Sequence, residues 1–404
     1  MKTKLHGLPL LLSAMSTFQP VYAATNNAVN VLPDGCELLQ QTATDPVNQP
    51  QAKVPFPPIA LQIQVPVPPQ AFLSDGRNYL VYELQLQNFS NQALTLQKIE
   101  VQDAQAGPVK AVARYQGDTL NKVLQPAGID DDEGERSVLH ARQGVTAFIC
   151  VALDANQAIP QKLRHRLVLS SGDVVSVETQ VNKQKVATIG APLQGTDWVP
   201  LHGPHVDSHH RKGLWVNAGK VENSRRFAVD WRKLQHGAWH SGNVADLRAY
   251  YAYGETVLAV ADAVVVLARD LFPDNAPRTP AGFNPAVAIT MESIAGNTIV
   301  LDIGGGQYVS YAHLQTKSVQ VKAGDRVLKG QPIAKIGNSG DSRSPHLHLQ
   351  VSTDPNHLLF GEGLPFVIDT FRSKKPDQQW MPRANETPWG NDVLIDFGKS
   401  RSPE

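Results

Sequence analysis

Cysteine is nearly absent: Cys36 and Cys150 are the only two in 404 residues. That scarcity excludes a disulfide-dense scaffold and a thiolate-rich metal cluster. The two can pair in an oxidising compartment, whereas Cys150, inside an apolar strand-like run, equally suits a buried free thiol. Charge of one sign is missing as well. Lys plus Arg and Asp plus Glu each number 37, so no basic field or basic aromatic stripe draws the chain to nucleic acid. No apolar run approaches the roughly 20 residues that cross a bilayer. Helical periodicity is also scarce, and none of useful length occurs between Glu255 and Val351.

What is present begins with an export pattern. Lys2 and Lys4 precede the short apolar run Leu8 to Ala14, and Val21-Tyr22-Ala23 offers a small-residue cleavage site. Residues 1–23 are therefore expected to be a signal peptide, leaving a periplasmic or secreted protein with no transmembrane anchor after its removal. An irregular segment is expected over 24–58. Strand-like alternation follows at Leu61 to Val65, Tyr79 to Leu86, Leu94 to Val101, Val109 to Tyr115, Gly144 to Leu153, Lys162 to Leu169 and Val174 to Gln180. Short strands at this spacing predict a β-sandwich over 59–190. The Asn88-Phe89-Ser90 turn after an alternating strand resembles bacterial immunoglobulin-like accessory domains. Asp130 to Glu135 reads as a solvated acidic turn, without the spaced oxygen ligands of a calcium loop.

A second β domain is expected over 197–370, followed by a trailing extension over 371–404. Its predicted strands are Glu255 to Val266, Ala286 to Met291, Asn297 to Leu301, Tyr308 to His313, Val321 to Arg326, Gly330 to Ile336 and Pro345 to Val351, with a tight reversal at Gly304-Gly305-Gly306.

Within that domain, His346-Leu347-His348 places two imidazoles on one face of a strand, because side chains two apart point the same way. Imidazole nitrogen suits zinc and titrates near neutrality. Tyr311-Ala312-His313-Leu314 ends another strand, and Asn338-Ser339-Gly340 is a polar turn leading to the paired histidines. In Phe227-Ala228-Val229-Asp230-Trp231 a single carboxylate interrupts an apolar run. A buried carboxylate requires a cation, a metal or several donors.

This ordered set resembles the lysostaphin-like zinc metalloendopeptidases, peptidase family M23, from about Glu222 to Thr353. Tyr253-Gly254, Gly324-Asp325-Arg326-Val327 and Gly330-Gln331 extend the likeness. The fold class expected on this basis is mainly β, an immunoglobulin-like β-sandwich followed by a lysostaphin-like antiparallel β-sheet metallopeptidase domain. The resemblance implies a zinc ion held partly by Asp230 and His348, with His313 and His346 as catalytic imidazoles and peptidoglycan or another peptide as substrate.

One position departs from the family pattern. Where the usual first ligand His stands four residues before the Asp, this chain has Arg226, which has no lone pair for a metal. Three readings remain open. A histidine from the cluster His202, His205, His209 and His210 replaces the ligand. By resemblance to exported members in which a His-Arg pair precedes an Arg-Phe-Ala-x-Asp-Trp strand, that histidine is His210. Alternatively, Arg226 pairs with Asp230 and the domain is an inactive wall-binding or regulatory adaptor. In the third reading the site works with altered geometry and Arg226 binds a substrate carboxylate. His240, with His236, Asn243 and Asp246 nearby, is a possible substrate contact at the groove rim or an ordinary surface residue, and Tyr250-Tyr251 a possible groove wall.

Overall fold

Period-two alternation builds nearly every element of the chain. The computed structural model describes residues 32–39, 58–106, 110–128, 135–356 and 358–398. The expected signal peptide, most of the irregular segment and the acidic loop from Asp130 to Gly134 lie outside these residues. The first half contains β1 (Leu61–Gln64), β2 (Ala71–Ser74), β3 (Arg77–Asn88), β4 (Leu94–Asp103), β5 (Lys110–Gln116), helix α1 (Gly117–Val123), β6 (Leu124–Pro126), β7 (Val138–Leu139), β8 (Gly144–Asp154), β9 (Lys162–Leu169), β10 (Gly172–Val175) and β11 (Thr179–Gln180). They form two antiparallel sheets, ordered β1-β3-β8-β6 and β10-β9-β4-β5. Leu80, Tyr82, Leu84 and Leu86 of β3 meet Leu96, Ile99 and Val101 of β4 in one core. The proline-bracketed β1 lies at a sheet edge, where a missing N–H costs no ladder bond.

The second half contains β12 (Ala187–Ile189), β13 (Trp198–Leu201), β14 (Trp215–Asn217), β15 (Lys220–Glu222), β16 (Val229–Lys233), β17 (Thr256–Leu258), β18 (Ala263–Arg269), β19 (Asn297–Asp302), β20 (Tyr308–Leu314), β21 (Arg326–Val327), β22 (Pro332–Lys335), β23 (Leu347–Ser352), β24 (Phe366–Lys374), β25 (Met381–Glu386) and β26 (Leu394–Asp396). Its main sheet runs β12-β24-β26-β13-β16-β23-β20-β19-β18-β21. Its pairings are antiparallel apart from the β12–β24 pair. Trp198, Trp231, Leu347, Leu349 and Val351 fill the core beneath it. The segment expected to trail from residue 371 is part of this sheet, since β24 runs through that position and β25 and β26 add to it.

Three expected strands of the second half change, and Val174 to Gln180 of the first half divides between β10 and β11. Ala286 to Met291 is irregular, because Ser293 and Asn275 side chains take its backbone groups: Thr290 N–H donates to Ser293 Oγ, Ser293 Oγ donates to the Ala288 carbonyl, and Ala286 N–H donates to Asn275 Oδ1. Glu255 to Val266 divides into β17 and β18, with the Val260 N–H turned to the Tyr311 hydroxyl, 2.9 Å away. Val321 to Arg326 shortens to β21 because Lys322 and Asp325 close a turn.

β3 and β8 are buried on both faces. Tyr79 and Val81, which point away from the sandwich core, pack with Cys36, Cys150, Phe227 and Trp389. Cys36 and Cys150 form a disulfide, which resolves the choice left by the sequence and fixes residues 32–39 beside β8.

His165 of β9 has no exposed surface. Its Nε2 lies 2.8 Å from the Tyr82 hydroxyl, and burial pushes its pKa down to about 3 from 6.5. Between those values the unfolded chain binds a proton that the folded chain refuses, so stability falls as pH drops through this window. The His165→Gln variant should show a slope of unfolding free energy against pH, between about 6 and 4, shallower by about one proton, or about 1.4 kcal/mol per pH unit. An unchanged slope in denaturant titrations would contradict this assignment.

Candidate metal centre and active site

Alternation along β16 sends Trp231 into the core and leaves Asp230 and Arg232 on the opposite face. Asp230 lies directly across from His348 in the neighbouring antiparallel strand β23, a register that brings same-face side chains together. His348 Nδ1 is 3.0 Å from Asp230 Oδ1, and His348 Nε2 is 2.9 Å from Gln350 Oε1. The Gln350 amide nitrogen donates to the Leu358 carbonyl, so Oε1 is the atom that accepts the His348 Nε2–H. Nδ1 is then free to present a lone pair toward the carboxylate.

The other imidazoles are oriented in the same way. His346 Nδ1 donates to the Ser344 carbonyl at 2.8 Å, leaving Nε2 3.5 Å from Asp230 Oδ1. His210 Nδ1 lies 3.0 Å from the His202 carbonyl and 3.3 Å from that of Ala228, leaving Nε2 3.6 Å from Asp230 Oδ1. His313 Nδ1 donates to the Ser339 carbonyl at 2.9 Å. His313 sits at a register shift between β19 and β20 with a φ of 61°. This left-handed conformation is uncommon for a non-glycine residue, and here the bulge re-aims the imidazole. The turn beneath it needs glycine at 296 and 340, since a Cβ on either would run into the other strand's backbone or Ser339.

Burial keeps the rings of His210, His313 and His346 neutral. Burial lowers the His210 and His313 pKa values well below the usual range and takes His346 to about 4. Burial works to raise the Asp230 carboxyl, but the surrounding His210, His346 and His348 offset it and hold the group well below the usual carboxylate range. The arrangement is an ionised carboxylate faced by imidazole nitrogens, of which those of His210 and His346 are held neutral. Such a set lacks the proton that ordinary hydrogen bonds would require and fits a cation.

Two groupings of donors describe the centre. The ligand atoms of His209, His210 and Asp230 all lie within 4.8 Å of one another, whereas His348 joins through its short contact with Asp230. His209 is exposed at the mouth, its ring tilted against that of His210 with centroids 4.3 Å apart. The oriented nitrogens of His210 and His348 make the stronger pair of donors, because each has its outer nitrogen occupied by a protein acceptor. These residues line a cleft of about 410 Å³ that holds six of the chain's 13 histidines.

Arg226 is not in that cleft. It is buried, with Nε 3.0 Å from both Glu83 oxygens, Nη2 3.0 Å from Glu362 Oε2 and Nη1 3.0 Å from the Gly363 carbonyl. It therefore neither pairs with Asp230 nor reaches a substrate, contrary to two of the readings from sequence. Arg211, the residue after His210, also binds Glu83, and donates to the Tyr82 carbonyl at 2.7 Å. His240 packs against Tyr250 with ring centroids 5.1 Å apart, outside the residues lining the cleft. Sequence reasoning missed Glu83, Glu362, Gln350, Arg225 and Arg232; Arg232 and Gln350 had a local signal, their two-residue spacing from Asp230 and His348.

A buried carboxylate ringed by oriented imidazoles on an antiparallel sheet is a donor set suited to a metal ion. Residues 243–358 match the model for peptidase family M23, a span that includes His313, His346 and His348 and begins after His210 and Asp230. Over that span the chain is similar to peptidase family M23. It is 33% identical over 79 residues to the peptidoglycan DD-endopeptidases ShyB and ShyA of Vibrio cholerae, a stretch that is 20% of this chain and 18% of each relative. The chain thus spans under a fifth of the length of these curated relatives. The catalytic domain of the antimicrobial peptidase lysostaphin from Staphylococcus simulans is 21% identical, with 41% of this chain and 80% of that one covered at a TM-score of 0.20.

The buried charges make a direct prediction. Glu83→Gln leaves Arg211 and Arg226 without their shared counter-charge and should lower unfolding free energy by about 3–5 kcal/mol. A loss below about 1 kcal/mol in urea titration would show that Glu83 does not hold the two arginines.

Proposed function

We propose that this chain is an exported zinc metalloendopeptidase that hydrolyses peptide bonds in peptidoglycan stems or cross-links. The observation that carries the reading is the convergence on Asp230 of His210, His346 and His348, each with its outer nitrogen already bound by a protein acceptor. His210, Asp230 and His348 are the residues that would hold zinc. When bound, zinc polarises a scissile carbonyl and acidifies water toward neutral pKa.

His346 acts as the general base. Its Nε2 faces the cluster, and the Ser344 carbonyl steadies the positive charge that appears on the ring as it takes a proton. His313, held through Nδ1–H by the Ser339 carbonyl, presents Nε2 as a second proton acceptor that, once protonated, can pass that proton to the departing amine. The endopeptidase relatives support peptidoglycan as substrate. The disulfide supports an oxidising compartment and with it export to the periplasm or beyond. No helix among the described residues is long and apolar enough to cross a membrane. The inactive-adaptor alternative, raised by the arginine in the usual ligand position, expected an Arg226–Asp230 pair, whereas Arg226 is committed to Glu83 and Glu362, which favours the peptidase reading.

Zinc-loaded mature protein should release new amino termini from purified peptidoglycan, and His346→Ala should slow that release by roughly 10²- to 10⁴-fold. Absence of new amino termini with the unaltered protein, or an unchanged rate in the variant, would overturn the assignment.

A further inference from the structure

Besides Arg343, which pairs with Asp341, four arginines lie around the Asp230 cluster, and they are treated in two different ways. Arg211 and Arg226 are saturated by Glu83, Glu362 and backbone carbonyls. Arg225 and Arg232 line the cleft itself, and neither guanidinium makes a hydrogen bond or ion pair with any described residue. The Nε of each is shut off from solvent without a partner. Leaving a buried donor unsatisfied costs free energy, all the more when the group is charged.

No carboxylate in the cleft is free to serve them. Asp341 is taken by Arg343 at 2.7 Å, and Asp230 is committed to the imidazole cluster. The lining therefore holds three guanidiniums against two carboxylates, and a bound zinc ion would add further positive charge. Arg232 follows Asp230 on the same face of β16, and Arg225 precedes that strand, so both lie close in the chain to the reacting centre. A planar guanidinium with unused donors matches a carboxylate.

We propose that Arg225 and Arg232 form a subsite for free carboxylate on the peptide that enters the cleft, so that the protein selects acidic peptide over its uncharged amide. This rests on the peptidase reading for the identity of the ligand, and it assigns the carboxylate-binding role to these two arginines, where the sequence had suggested Arg226.

The test is equilibrium binding of N-acetyl-D-alanyl-D-alanine and of its carboxamide to the zinc-loaded full chain, followed by calorimetry or NMR. The unaltered protein should bind the acid at least about tenfold more tightly than the amide. Arg225→Gln and Arg232→Gln should each reduce that preference, and the double variant should abolish it while binding of the amide stays the same. Thermal stability of the variants should be equal or higher, because each removes an unpaired charge. Equal binding of acid and amide by the unaltered protein overturns the proposal. So does an acid preference that survives in the double variant, which would place the carboxylate on the metal or on Arg343. Because binding is read without turnover, arginine-dependent acid preference without peptidoglycan cleavage would sink only the peptidase reading. Cleavage without acid preference would sink only the subsite.

Discussion

Glu83 is the constraint on which the geometry of the site depends. It comes from the sandwich, on the face of β3 that points away from its own core, and it meets Arg211 and Arg226 of the second half at full burial. Glu362 balances the second guanidinium, so the set carries two charges of each sign. Charges removed from water persist only when paired and hydrogen-bonded, and deletion of one exposes the cost of the rest. Arg211 directly follows His210, and Arg226 enters β16 four residues before Asp230. One carboxylate from a different sheet thus fixes the approach of two site residues.

This gives the unusual Arg226 a structural meaning. The turn at residues 224–227 directs Arg226 inward, toward Glu83, while its neighbour Arg225 faces the cleft. In the proposed centre His210 supplies the nitrogen that Arg226 cannot, from a turn tied down by Ser208 and by the His202 carbonyl. The sandwich therefore acts as more than a spacer. It provides the counter-charge that lets the His210–Arg211 turn pack beneath β16.

Much of this was legible in local pattern. The period of two predicts that His346 and His348 share a face and that Asp230 interrupts a buried strand, because strand geometry is set by adjacent residues. His210 was reached through family resemblance, since spacing alone does not separate it from His209. Arg226 was misread in two of three readings because its partner lies 143 residues away, and no local signal connects Glu83 with it. The Ala286 to Met291 strand was lost because Ser293 and Asn275 side chains satisfy backbone groups that period-two reasoning assigned to a ladder, and the bulge at His313 follows from a register shift at which the His313 N–H donates to the Ala295 carbonyl instead.

The central claim is that His210, and not Arg226 or His209, completes the metal site. Zinc affinity by competition with a chromogenic chelator, measured on the unaltered chain, His210→Ala and His209→Ala, tests it most directly. The account predicts about one zinc per chain for the unaltered protein, loss of affinity by at least about a hundredfold in His210→Ala, and near-normal affinity in His209→Ala. Zinc held as tightly by His210→Ala as by the unaltered chain would contradict it.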